Sequence, residues 1–292
     1  MLPRSQVDRS FGCGTAPSEE YMSMLQGVAT DEQDASSARV FAAAEDPVVI
    51  DTYFHVVAAS TNLADGYVTD QQLADQIAVL NEEYAPYGFQ FDLKGTDRTI
   101  NGNWSVDSAE LDMKIALRKG DYKALNVYFQ KQIGGNLGYC YFPTFVGEQT
   151  EDFYYDGCSI LFSSVPGGNA TNYNLGKTLT HEVGHWFGLL HTFQGNSCDG
   201  VGDIISDTPQ QLSATRGCPV GRDSCPDAAG LDPIHNYMDY SYDACYEEFT
   251  PKQHKRMHNM FDSFRAEWGM KAKGKRDVKR SRQLRKKSPV NM

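Results

Sequence analysis

The 292-residue chain is 40% hydrophobic, enough to bury a sizeable core in one large domain or two small ones. No run of about 18 apolar residues occurs, which excludes a membrane-spanning helix and points to a soluble protein. Its net charge of −11 conceals an asymmetry: residues 271–292 hold ten Lys or Arg and one acid, so the rest of the chain carries −20 and is a poor partner for nucleic acid.

Residues 1–47 carry no strand signal. A short amphipathic helix is predicted near Ser18 to Gln26, and Thr30 to Asp46 is rich in Ala, Ser, Asp and Glu, so the stretch reads as a pro-segment and linker. Met1 to Ser18 contains no apolar h-region, so no secretory signal is recognisable there; a start lacking its leader is the expected reason. Ordered structure is expected from Pro47, where Val48 to Val57 is β-branched and aromatic enough for a buried strand. Thr69 then reads as a helix N-cap, followed by Leu73, Ile77, Leu80 and Tyr84 at helical spacing. Phe89 to Leu93 alternates as a strand, Glu110 to Lys119 reads as a helix, and Leu125 to Phe129 as another strand. This β-α-β-α-β order implies a mixed sheet with helices packed against it.

Gly138 to Phe142 and Cys158 to Phe162 are two further strands separated by an acidic loop. Each carries one cysteine, which makes a Cys140–Cys158 bridge plausible. Leu175 to Leu190 is the strongest helical segment, and a second runs from Thr250 to Trp268 with Pro251 at its first position. The catalytic domain is thus expected at 48–270, with 271–292 a basic, solvated, disordered tail that lacks aromatic anchors.

Seven cysteines are present, and Cys198, Cys218, Cys225 and Cys245 crowd into a span rich in Gly, Asp and Pro. That is the pattern of a loop region held by cross-links in an oxidising compartment. The glycosylation triplets at Asn103 and Asn169 agree with a secreted, extracellular protein.

The chemistry concentrates in His181-Glu182-Val183-Gly184-His185-Trp186-Phe187-Gly188-Leu189-Leu190-His191. Residues four apart on a helix share a face, so His181 and His185 can offer their imidazoles to one ion. His191 lies ten residues from His181, about 15 Å along a straight helix, and can join them only if the chain turns. Gly188 sits where the turn is needed, because glycine accepts the left-handed conformation that ends a helix. Three neutral histidines leave a tetrahedral zinc ion one open position, as in catalytic sites. Glu182 is placed to take a proton from a water there and pass it to a leaving amine, the chemistry of a zinc endopeptidase acting on protein or peptide substrates.

The long histidine motif resembles the metzincin peptidases, whose members carry a methionine turn beneath the metal, and Asn236-Tyr237-Met238-Asp239-Tyr240 fits that turn. The span from Ser197-Cys198-Asp199-Gly200 through Asp207-Thr208-Pro209 to Tyr240 is most similar to the pappalysin family, especially its fungal extracellular members. The resemblance implies an α+β fold: a mixed twisted sheet with a backing helix and an active-site helix, then an irregular disulfide-rich lower part with a C-terminal helix. It implies that Met238 forms an apolar floor under the zinc and that Tyr240 hydrogen-bonds the oxyanion. Bridges Cys198–Cys225 and Cys218–Cys245 are implied as well.

That pairing, with Cys140–Cys158, leaves Cys13, in Arg9-Ser10-Phe11-Gly12-Cys13-Gly14-Thr15, which resembles the latency motifs of some metzincin precursors. Its thiolate would occupy the open zinc position. Asp199, Asp203 and Asp207 recur every four residues and could bind Ca²⁺ through carboxylate oxygens, and related family members are calcium-stabilised. The expected protein is a secreted, monomeric endopeptidase made as a latent precursor. An astacin-like or other metzincin with a narrow processing role, and a non-catalytic secreted binding protein, are the alternatives.

Overall fold

The computed structural model describes residues 12–34, 46–266 and 268. The basic tail and most of the Thr30–Asp46 linker lie outside the described residues. Among the described residues the expected α+β architecture is present. Five strands form one sheet: β1 (Val48–Ala58), β2 (Phe89–Ile100), β3 (Leu125–Gln130), β4 (Gly138–Cys140) and β5 (Cys158–Leu161), in the order β2-β1-β3-β5-β4. The first four in that order run parallel, and β4 closes the sheet as an antiparallel edge.

The central strands are buried on both faces, as parallel strands covered by helices must be; every residue of β3 and β5 is buried. Alternation sorts their side chains. Phe54, Val56, Val127 and Phe129 enter the main core, whereas Val57 and Tyr128 pack on the opposite face with Met113. Met113 belongs to α3 (Glu110–Leu117).

Helix α2 (Asp70–Tyr84) backs the sheet. Thr69 and Gln72 form a capping box at its start, and Leu73, Gln76, Leu80 and Tyr84 line its buried face. Two polar groups on that face align α5 (Lys177–Trp186): the Tyr84 hydroxyl donates to Thr180 O at 2.9 Å, and Gln76 Nε2 donates to Gly176 O at 2.9 Å.

Several boundaries differ from the sequence expectation. The N-terminal helix is longer, α1 (Glu19–Asp34), and strand β2 continues to Ile100. A short helix, α4 (Glu151–Tyr155), capped by Thr150, stands where an acidic loop was expected; five residues are too few to show a period. Helix α5 is shorter than 175–190, because Gly176 at its N-cap and Gly188 beyond its end both hold positive φ, +88° and +94°. The final helix, α6 (Pro251–Met260), starts with the expected Thr250 cap and passes into a π-helical turn over Phe261–Ala266. There Arg265 pairs with Asp156 at 2.9 Å and donates to Trp186 O at 3.1 Å, fastening the chain's last described turns to the end of α5.

Between α5 and α6 the chain is irregular, and disulfides Cys198–Cys225 and Cys218–Cys245 cross it. A third, Cys140–Cys158, joins residues opposite one another on β4 and β5. The Asn103 and Asn169 side chains are exposed.

Candidate active site

Helix α5 presents His181 and His185 one turn apart, and the chain then folds back. Leu189 N donates to Gly184 O at 2.9 Å and Gly188 N to His185 O at 2.8 Å, the bonds of a helix closed by a left-handed residue. The reversal brings His191 in, with its Nε2 3.1 Å from His185 Nε2. Backbone carbonyls orient the other two rings, since His181 Nδ1 lies 2.6 Å from Tyr237 O and His185 Nδ1 2.7 Å from Leu189 O. A carbonyl on Nδ1 fixes the tautomer and leaves Nε2 as the lone-pair donor, the usual outer-shell arrangement of a metal-ligating imidazole. Burial lowers all three histidines, His185 to about 4, so the rings are neutral.

A fourth donor arrives from the N-terminal segment. Cys13 Sγ and one nitrogen of each of His181, His185 and His191 all lie within 4.8 Å of one another. Three imidazoles and one thiol form a donor set suited to a tetrahedral zinc ion. The thiol donates to Glu182 Oε2 at 3.3 Å, and burial together with the Glu182 charge raises it well above the ordinary thiol range. Glu182 is fully buried, and desolvation pushes its carboxyl up to about 8.

The segment that carries Cys13 lies along the sheet edge. Gly14 N donates to Gly138 O at 2.9 Å and Leu137 N donates to Gly12 O at 2.7 Å, a parallel bridge to β4. Thr15, absent from the sequence reasoning, points the same way as Cys13. Its hydroxyl accepts from Cys140 N at 3.0 Å and shares its one proton between Cys140 O at 3.0 Å and Glu182 Oε2 at 3.4 Å. The signal available was period-two spacing: in an extended segment, residues 13 and 15 share a side. Tyr240 accepts a hydrogen bond from Cys13 N at 3.2 Å, and its ring stands 5.0 Å from that of His191.

Two glycines make the arrangement possible. A Cβ at Gly138 would come within 2.5 Å of Glu182 Cγ. A Cβ at Gly184 would overlap Met238 Sδ, so the middle residue of the helical motif must be glycine for the fully buried methionine to pass beneath it. Gly184→Ala is therefore expected to destabilise the fold by about 1–3 kcal/mol through overpacking, read as a lower Tm. An unchanged Tm would contradict the close packing.

Asp199, Asp203 and Asp207 do not come together. Asp199 is exposed, Asp203 Oδ1 accepts from Ile205 N at 3.0 Å, and Asp207 accepts from Thr250 Oγ1 at 2.7 Å and Lys252 N at 2.9 Å. The calcium site expected from their spacing is thus replaced, at Asp207, by an anion at the N-terminus of α6, where the helix dipole favours it. The four-residue spacing carried no information because the loop is not helical.

Residues 112–262 match the family described as pregnancy-associated plasma protein-A, peptidase M43. An extracellular metalloprotease of Neurospora crassa is 58% identical over 259 residues, covering 88% of this chain and 90% of its own. One from Colletotrichum graminicola is 57% identical over 259 residues, covering 88% and 91%. Among solved structures, Tannerella forsythia mature mirolysin in complex with a cleaved peptide aligns with a TM-score of 0.63 at 29% identity, covering 75% of this chain and 93% of its own. A promirolysin mutant from the same organism aligns with a TM-score of 0.66 at 27% identity, covering 86% and 94%.

Proposed function

Since the chain belongs to the pregnancy-associated plasma protein-A family of M43 metallopeptidases, we propose that it is a secreted zinc endopeptidase, made as a precursor that Cys13 keeps latent. The observation that carries this reading is the convergence of Cys13 with His181, His185 and His191 beside Glu182. The three histidines would hold the zinc. When bound, zinc lowers the pKa of a water and polarises the scissile carbonyl.

The protein's own groups perform the remaining work. Once residues 12–15 have left it, the outer edge of β4 takes an extended peptide as an additional strand and so sets the scissile bond beside Glu182. Glu182 accepts the proton of the attacking water and returns it to the departing amine, so that no covalent intermediate with the enzyme is needed. Tyr240, whose hydroxyl already meets a backbone N–H across the cleft, donates to the oxyanion as the carbonyl becomes tetrahedral. Tyr240→Phe is expected to reduce kcat by about tenfold to a hundredfold with little change in KM, the signature of an interaction made chiefly in the transition state. Equal kcat for the two proteins would remove Tyr240 from the reaction.

Latency has two physical causes in this reading. The Cys13 sulfur lies among the three histidine donors, where it would take the metal position that a substrate carbonyl or water needs, and residues 12–15 occupy the strand edge a substrate would use. The promirolysin alignment supports it, covering more of this chain than the mature form does. Extracellular relatives, together with three disulfides in this chain, fit export to an oxidising compartment.

Casein hydrolysis by the activated enzyme should vanish in 1,10-phenanthroline and return on adding zinc. Hydrolysis that survives removal of all metal would refute the proposal.

A further inference from the structure

The pro-segment is held at a second place, far along α1 from the cleft. Glu32 lies eleven residues beyond Tyr21, about 16 Å along the helix axis. Its carboxylate receives Arg256 Nε at 3.0 and 3.1 Å and Arg256 Nη2 at 2.9 Å, and Asn259 Nδ2 donates to the same group at 2.9 Å. Lys255 Nζ caps the Glu32 carbonyl at 2.9 Å. Arg256 is 1% exposed, and its further bond is to Ile204 O at 3.2 Å. Between this socket and the cleft, Tyr21 and Leu25 sit on Leu190, Met260 and Phe264.

All the donors in the socket belong to α6, in the catalytic part of the chain. Removing α1 leaves a guanidinium fork, which is always charged and shaped for a planar carboxylate, without its anion. The acids nearby do not replace Glu32. Asp207 is committed to the start of α6, and Asp203 is held on Ile205 N with a carboxyl that burial pushes up to about 8. Beside the fork opens a cavity of about 750 Å³ in which Ala29 and Glu32 of α1 face Ile204, Ile205, Asp207 and the cations Lys252, Lys255 and Arg256, so that the cations outnumber the acid that remains once α1 has left. A cationic, partly apolar pocket on an otherwise strongly acidic body is matched to an acidic segment with apolar neighbours, which is the chemistry α1 itself presents.

We propose that this socket is a carboxylate-binding exosite of the mature enzyme: once the pro-segment has left, Arg256 and Asn259 receive an acidic side chain of a protein substrate. The inference rests on residues 12–34 being a pro-segment that leaves. The enzyme then binds protein substrates at two places, the cleft and the Arg256 socket, and the precursor blocks both.

The probe is a fluorescein-labelled peptide of residues 19–34, titrated against the activated enzyme beside the same peptide carrying Glu32→Gln. The parent peptide is expected to bind at least tenfold more tightly than the Gln form. It should inhibit hydrolysis of casein while leaving hydrolysis of a short fluorogenic peptide, long enough to fill only the cleft, unaffected. Arg256→Gln should abolish the discrimination between the two peptides; if that variant does not fold, Asn259→Ala should reduce it. Equal binding of both peptides, or equal inhibition of casein and short-peptide hydrolysis, would overturn the exosite alone. A chain freed of residues 1–47 that remains as inactive as the precursor would overturn the pro-segment reading and the exosite with it.

Discussion

Glu182→Gln is expected to lower kcat/KM of the activated enzyme on casein by about 10²- to 10⁴-fold, the range over which a positioned general acid–base acts. The substitution keeps size and shape, so the variant should retain its zinc content and its Tm. What it removes is the group proposed to accept a proton from water and then give it up. Glu182 is fully buried on α5 between two proposed ligands, and Gly138 leaves it room on the opposite wall. The measurement is steady-state hydrolysis beside metal analysis of the same preparation. Full activity in a protein that lacks the carboxylate would assign the proton transfers elsewhere.

Cys13→Ala is expected to yield an unprocessed chain at least tenfold more active than the unprocessed parent, about 1.4 kcal/mol or more of lost self-inhibition. Full release is not expected, because the bonds of Gly14 and Leu137 still hold the segment on β4 and Glu32 still holds α1 on Arg256. The size of the remaining inhibition therefore measures the strand and helix contacts without the thiol. The assay is initial-rate hydrolysis with intact-mass analysis to confirm that the chain is uncut. A Cys13→Ala precursor as silent as the parent would show that the thiol plays no part in latency.

These two residues also mark how far local pattern reaches. Glu182, His181 and His185 lie within one helical turn, where spacing alone determines which side chains share a face. The third imidazole followed from chain length and one glycine, and Gly188 does hold the positive φ that its place demanded. Cys13 was visible only through resemblance to other precursors. Nothing in residues 12–15 themselves shows that they lie against residues 136–140, more than a hundred positions away.

The errors have the same origin. Helix α5 was read too long because Leu175, Leu189 and Leu190 continue an apolar period, whereas Asp243 takes the Leu175 N–H at 2.8 Å and Gly176 starts the helix late. Asp207 was grouped with two acids of its own loop and binds the start of α6.

The sequence by itself determined the histidine motif, the helix that carries it and the alternation of strands with helices, because each depends on residues within a few positions of one another. Only the tertiary structure decided which chain segment lies in the cleft, why Gly184 must lack a side chain above Met238, and that Glu32 meets Arg256 across 224 residues. Those contacts join segments whose separation in sequence carries no period, so their partners are chosen by packing and charge when the chain closes on itself.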